Sequence, residues 1–378
     1  MIKSIFLLSL VSIITIKLID ISLGFFQNSK KSISIQRYIN LKEHKPHTDQ
    51  TYKPDIDVRN SNKAYRLRID KNGFIEGPLL DDKLELKSDQ IDILFLGGST
   101  TECLYVDEDK RFPYLLSQKI VNKDNKPIKT LNGGVGGAHL YHSIINFIGK
   151  GISAKPRYVV LMHAINDLSL LSKYENYFDS TVHDSRKIIL IDKETNISLY
   201  SILSFLKTYL APNLWNEIRL SGLVESLHRI IKGDDEWKSA RSKISTYDAV
   251  QDKLNTQFRS ALISFIEISR AWKIEPILMT QFNAIDIKND LFVNGYKLHD
   301  QPVDVNDFLR LYSLTNQIIR DVANEKKINL IDLDKKLKNQ HHLFYDSVHL
   351  NNAGSEKVAD ILKDFLLVWV YLTLLLKI

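Results

Sequence analysis

A parallel α/β sandwich, with helices on both faces of a five-stranded sheet, is the fold this sequence predicts. Three observations predict it. At 378 residues, with 44% hydrophobic and 25% charged residues, the chain has the length and composition of a globular protein with ample core. The run "IDILFLGGST", residues 91 to 100, is apolar apart from Asp92 and stops at two glycines, as a buried strand does. From there on, strand, loop and helix signals repeat five times, which is the signature of parallel strands joined by crossover helices.

The strand candidates are Ile91 to Leu96, Ile128 to Leu131, Tyr158 to Met162, Ile274 to Met279 and Ile328 to Leu333. Helical stretches between them include "PYLLSQKIVN" and "SALISFIEISRAW". In sheets of this kind ligands bind beyond the carboxyl ends of the strands, so the loops after these five runs are where chemistry is expected. Residues 168 to 255 interrupt the alternation with helical spacing and many aromatics, and are expected to be a helical insertion over or beside the site.

The rest of the chain divides by composition. Residues 1 to 26 are apolar over most of their length, and Lys17 and Asp20 lie three apart, where they can pair on one helical face. With no small-residue cleavage site, the stretch reads as an uncleaved single-pass membrane anchor rather than a removed signal, with an amphipathic surface helix as the alternative. Residues 27 to 88 read as a tether with a small β-rich segment, because "KAYRLRID" alternates and "KNG" follows as a hairpin turn. Residues 89 to 378 form the main domain. Its last 14 residues, "FLLVWVYLTLLLKI", are apolar but too short for a span.

Net charge is +6, and the pI is about 9.0, yet the lysines sit in mixed-sign runs, so a solvated surface is expected and no nucleic-acid partner. A single cysteine, Cys103, excludes an internal disulfide.

Four stretches carry candidate chemistry. Gly97 and Gly98 permit a sharp strand-to-helix turn that would lift the Ser99 hydroxyl beyond the sheet, and Thr100 and Thr101 could open a helix whose N-terminus favours negative charge. A phosphate cradle or a plain tight turn has the same look. "LNGGVGGAHLYH" has four glycines around Val135, which let backbone N–H groups approach a ligand. His139 stands where a third glycine would complete G-x-G-x-x-G from Gly134, so the dinucleotide fingerprint fails, and the H-x-x-H pair His139 and His142 lacks an acidic partner for a metal. Asn166, just past the third strand, can offer its amide N–H₂ to an oxyanion, while Asp167 beside it reads as a loop-ordering residue. Asp346 and His349, three apart ahead of the last helix, can supply a general base and the carboxylate that orients it. An ordinary turn, or a capping-region pair, is the bland reading of the last two.

In this order the four stretches resemble the SGNH hydrolases, the GDSL esterase/lipase family, in a GGST-type branch. Gly97-Gly98-Ser99-Thr100 is similar to the family's serine motif, with Gly98 where many members have Asp. Gly137 matches its oxyanion glycine, Ala164-Ile165-Asn166-Asp167 its Gly-x-Asn-Asp block with Ala for Gly, and Asp346 to His349 its Asp-x-x-His block. The likeness spans about residues 90 to 364.

It implies a flavodoxin-like α/β/α three-layer fold. Ser99, His349 and Asp346 would be the catalytic residues, the Ser99 and Gly137 N–H groups with Asn166 the oxyanion hole, and no metal or organic cofactor would be needed. Together with the anchor, it implies an esterase that deacylates, and in particular deacetylates, a cell-surface carbohydrate from the extracytoplasmic side. The alternatives are an O-acyltransferase on a surface polysaccharide, a lipase or thioesterase, and a non-catalytic glycan-binding scaffold. Oligomeric state is not legible.

Overall fold

The computed structural model describes residues 36–54, 63–78, 91–121, 127–178, 189–192, 247–285 and 305–375. The expected anchor over residues 1 to 26, and most of the expected insertion, lie outside the described residues. The chain divides into two units, Met1–Tyr38 with Ile189–Leu227, and Ile39–Ile188 with His228–Ile378. Strands β1 (Gln36–Ile39) and β7 (Ile189–Asp192) pair with each other.

The second unit holds the sheet. Its strands are β4 (Ile93–Gly97), β5 (Thr130–Gly134), β6 (Tyr158–Met162), β8 (Glu275–Met279) and β9 (Asn329–Ile331), all parallel, in the order β5-β4-β6-β8-β9. Successive side chains of a strand face opposite sides, and here both sides are buried. Leu94, Leu96, Val159, Leu161 and Leu278 pack on one face against α3 (Leu140–Asn146), α6 (Arg259–Ala271) and α7 (Val305–Lys326). Ile93, Phe95, Val160, Met162, Ile277 and Met279 pack on the other against α2 (Phe112–Lys119), the one-turn α8 (Leu333–Lys336) and α9 (Asn352–Leu375). Three layers result, as the unbroken apolar runs require.

The first, fourth and fifth strands are shifted or shortened at their ends by one or two residues, to Ile93–Gly97, Glu275–Met279 and Asn329–Ile331, and two expectations differ by more. The second strand was expected at residues 128 to 131 and runs Thr130–Gly134, because Gly133 and Gly134 pair in register with Leu96 and Gly97. Two of the four glycines are therefore strand, and a Cβ on Gly134 would overlap the backbone of Thr101 and Glu102. The expected hairpin around "KNG" is short. Gly73 takes φ +82°, Asp70 and Phe74 bond across the turn at 2.9 Å, and Glu76 N–H reaches Arg68 O at 2.9 Å.

Its strand β3 (Tyr65–Arg68) pairs mainly with β2 (Asp49–Tyr52), antiparallel, out of the stretch read as a tether. Ile75 N–H then bonds Asn132 O at 2.8 Å, joining this small β-unit to the edge of β5.

Residues 165 to 173 form α4 (Ile165–Lys173) and residues 247 to 253 form α5 (Tyr247–Lys253), so both ends of the stretch read as an insertion belong to the main helical layers. Among the described residues no helix is long and apolar enough to cross a membrane.

Candidate active site

Strand β4 ends at Gly97, Gly98 is extended at φ −88° and ψ −155°, and Ser99 opens the one-turn helix α1 (Ser99–Glu102). The two glycines answer to contact as well as to turning. A Cβ on Gly97 would stand 2.7 Å from Met162 O, and one on Gly98 would stand 2.6 Å from Asn166 Nδ2 and 3.2 Å from Ala138 O. The helix expected after Ser99 stops at Cys103, which takes φ 59°. One turn has little macrodipole, so the useful groups are its individual N–H donors, and Ser99 at the first position has no intrahelical acceptor for its own.

The loop before α9 carries Asp346 and His349. Asp346 Oδ1 accepts from the N–H groups of Val348 and His349 at 2.9 and 2.7 Å, which fixes the carboxylate. Its Oδ2 lies 2.7 Å from His349 Nδ1, and His349 Nε2 lies 2.7 Å from Ser99 Oγ. A carboxylate only accepts, so Nδ1 carries the proton and Nε2 is left to receive one from the serine. Burial alone would raise the Asp346 pKa. The hydrogen bond and charge of His349, with the two backbone N–H groups, outweigh it and hold the carboxyl below its ordinary value. Tyr345 stacks on the imidazole, ring centroids 5.5 Å apart and 7° from parallel, and its hydroxyl donates to Leu104 O at 3.2 Å.

Opposite lies the glycine loop. Ala138 N–H bonds Val135 O at 3.0 Å and Gly137 has φ +70°, the arrangement of a type II turn that only a residue free to take positive φ fills cheaply. Asn166 Nδ2 donates to Ala138 O at 2.7 Å. An amide nitrogen has two hydrogens, and that bond pins the carboxamide over Gly98. Asp167, fully buried, accepts from Leu140 N–H at 3.0 Å and Tyr177 O–H at 2.7 Å, tying α4 to the start of α3 just beyond the glycine loop. The turns after β4, β5 and β6 and the loop before α9 thus bring Ser99, Gly137, Asn166, Asp346 and His349 together at the carboxyl edge of the sheet.

A second Ser-His-Asp set lies behind it. Ser143 Oγ is 2.7 Å from His163 Nε2, and His163 Nδ1 is 3.4 Å from Asp167 Oδ2, all three buried. Burial pushes His163 down to about 3 and Asp167 up to about 7. A histidine so weakly basic is no general base at neutral pH, and no substrate reaches it; Ser99 and His349 are each partly exposed. Cys103, near Ser99 in sequence, is no nucleophile either, since it is buried and desolvation pushes its thiol up to about 12. His139 and His142 are a packed ring pair, centroids 4.2 Å apart, with His142 Nδ1 accepting Lys42 N–H at 3.2 Å.

Sequence reasoning missed two groups of supports. Lys42 and His44 lie against the end of β5 and the start of the glycine loop: His44 Nε2 is 3.1 Å from Gly134 O and 3.3 Å from the buried Glu102 Oε1, and Asn146 Nδ2 donates to Lys42 O at 2.8 Å. Nothing in that polar stretch has a period that would betray it. The other group centres on Gln281, just past β8. Its Oε1 accepts Ile165 N–H at 2.8 Å and its Nε2 donates to Thr100 Oγ1 at 2.9 Å. Asn316 of α7 holds both main-chain groups of Gln281, at 3.0 and 2.7 Å. The polar "TQFN" directly after an apolar strand was the available signal.

No family model and no curated protein matches the chain. Solved structures do. An acetyl xylan esterase, AlAXEase, is 18% identical with a TM-score of 0.39, over 72% of this chain and 98% of that one. A lipase/acylhydrolase from Enterococcus faecalis is 14% identical with a TM-score of 0.41, over 73% and 94%. Axe2, an acetylxylan esterase from Geobacillus stearothermophilus, is 16% identical with a TM-score of 0.39, over 72% and 92%. Likenesses at this level carry no argument about chemistry, which rests on the side chains themselves.

Proposed function

We propose that this protein is a serine-dependent carboxylic-ester hydrolase. The observation that carries the reading is the chain of two 2.7 Å contacts from Ser99 Oγ through His349 to Asp346, with the Asn166 amide fixed beside the serine. Ser99 Oγ attacks the ester carbonyl as its proton passes to His349 Nε2, and Asp346 steadies the imidazolium through Nδ1–H. The oxyanion meets the N–H groups of Ser99 and Gly137 and the second N–H of Asn166. The alcohol leaves with the proton from His349. Water then attacks the acyl-enzyme, gives its proton to His349, and the acid leaves as Ser99 regains its hydrogen.

The substrate we infer is an acylated, in first place acetylated, cell-surface carbohydrate. The apolar 26 residues at the start of the sequence support it, as an anchor holding the domain at the membrane's outer face. A sugar hydroxyl replacing water at the second step would make the same site an O-acyltransferase.

Hydrolysis of p-nitrophenyl acetate by wild type, Ser99→Ala and His349→Ala tests the chemistry. Both variants are expected to lose at least about a thousandfold in kcat, in line with loss of a triad member. Activity persisting in Ser99→Ala would overturn the reading. Free acetate against acetyl transfer to an added glycan then separates hydrolase from transferase.

A further inference from the structure

Two of the oxyanion donors stand on different strand ends: Ser99 follows β4, and Asn166 follows β6. Backbone pairing between β4 and β6 ends at Gly97 and Met162, so the sheet itself does not fix the distance between the two donors beyond that point. The side chain that reaches both loops is Gln281. Its carboxamide donates to Thr100, the residue after the nucleophile, and accepts the N–H of Ile165, the residue before Asn166, at 2.9 and 2.8 Å.

Helix α4 has no side-chain cap of its own, its N-cap being Ala164. Gln281 supplies that function from the loop after β8, satisfying a donor the helix cannot. Gln281 in turn is held at its main chain by Asn316, N–H to Oδ1 and C=O from Nδ2. Gln281, Asn316 and Thr100 are 2%, 0% and 3% exposed, so water does not compete for these bonds.

We propose that Gln281 is a positioning residue for the oxyanion hole, a cross-brace that sets the separation of the Ser99 N–H and the Asn166 amide. The inference rests on the ester-hydrolase reading. Gln281 touches neither substrate nor the reacting atoms, and its effect reaches them through Thr100 and Ile165. A primary amide donates at one end and accepts at the other whatever the pH. A protonated carboxyl imitates it, and an ionised one does not, since it accepts at both ends and carries charge toward the oxyanion.

The test compares wild type, Gln281→Leu and Gln281→Glu in the full chain, with p-nitrophenyl acetate turnover, the rate of Ser99 labelling by a fluorophosphonate, and thermal melting. Gln281→Leu is expected to lose roughly tenfold to a hundredfold in kcat with KM within about threefold, since a donor is displaced rather than removed. Gln281→Glu is expected to be impaired at about pH 8 and to approach wild type as pH falls toward about 5, the ratio of variant to wild type rising as the introduced carboxylate takes a proton. Labelling rates should follow kcat, because the phosphonyl adduct also places an oxygen in the hole.

A kcat and labelling rate at wild-type level in folded Gln281→Leu would overturn the proposal while leaving the hydrolase reading intact. So would a variant-to-wild-type ratio for Gln281→Glu that stays flat with pH. Wild type inert to both ester and probe would instead overturn the hydrolase reading, and this inference with it.

Discussion

Gly98 shows how closely single atoms are arranged here. It is extended rather than left-handed, so its lack of a Cβ is needed for room: that atom would stand 2.6 Å from the Asn166 amide nitrogen. Gly98→Ala is therefore expected to push the carboxamide aside and lower kcat roughly tenfold to a hundredfold, with a melting temperature near wild type. Equal kcat in the variant would mean that the Asn166 amide does not serve the reaction. Asn166→Ala removes the donor outright, and its kcat should fall by about a hundredfold or more with little change in KM. Ser99 was legible because it stands just past a strand end, and Asp346 and His349 because a carboxylate and an imidazole three apart ahead of the last helix suit a paired acid and base. Gln281 was not, because a glutamine's role depends on what its two ends meet.

At the scale of elements, α4 does two things: its first turn presents Asn166, and Asp167 ties it to α3. Burial in that place raises the Asp167 pKa to about 7. A carboxyl whose folded value stands above its ordinary 3.8 stabilises the fold fully below that value, and the contribution is lost as pH rises through about 7. His163 runs the other way: with a folded value of about 3 against 6.5, its contribution is present above 6.5 and lost as pH falls toward 3. Asp167→Asn removes only the first effect. The melting temperature of the variant, relative to wild type, is expected to rise from about pH 4 to about pH 7 and level off above. A difference constant with pH would mean that Asp167 is ionised throughout, paired with His163. The shift of the second strand belongs here too: glycine reads as loop in a sequence, yet Gly133 and Gly134 are strand, and at Gly134 the close passage of α1 leaves no space for a Cβ.

At the scale of the molecule, the order β5-β4-β6-β8-β9 decides where the site is. The chain's path reverses between β4 and its neighbours β5 and β6, and the crevice at such a switch point opens beyond the carboxyl ends; Ser99 and Asn166 follow the strands on its two sides. The segment around His44 reaches the same place from far away in sequence. His44→Ala would take the imidazole away from both Gly134 O, 3.1 Å off, and the buried Glu102 carboxylate, and a loss of about 1–3 kcal/mol is expected in urea unfolding, the usual size for an orphaned buried polar group. An unchanged unfolding midpoint would show that the contact adds nothing to stability.

The sequence by itself determined the class of fold and the candidate residues that the proposed chemistry draws on. Short apolar runs between loop signals must be buried, and a serine and an asparagine at their ends, with an aspartate and a histidine ahead of the last helix, have few structural reasons to occur together. What only the tertiary structure decided is which Ser-His-Asp set among the described residues is open to solvent. Ser143, His163 and Asp167 have the right residue types, yet burial pushes that histidine down to about 3, too weak a base at neutral pH, whereas His349 is partly exposed and sits against an aspartate held below its ordinary value. Solvation of a side chain depends on everything packed around it, and that is written in no single stretch of the chain.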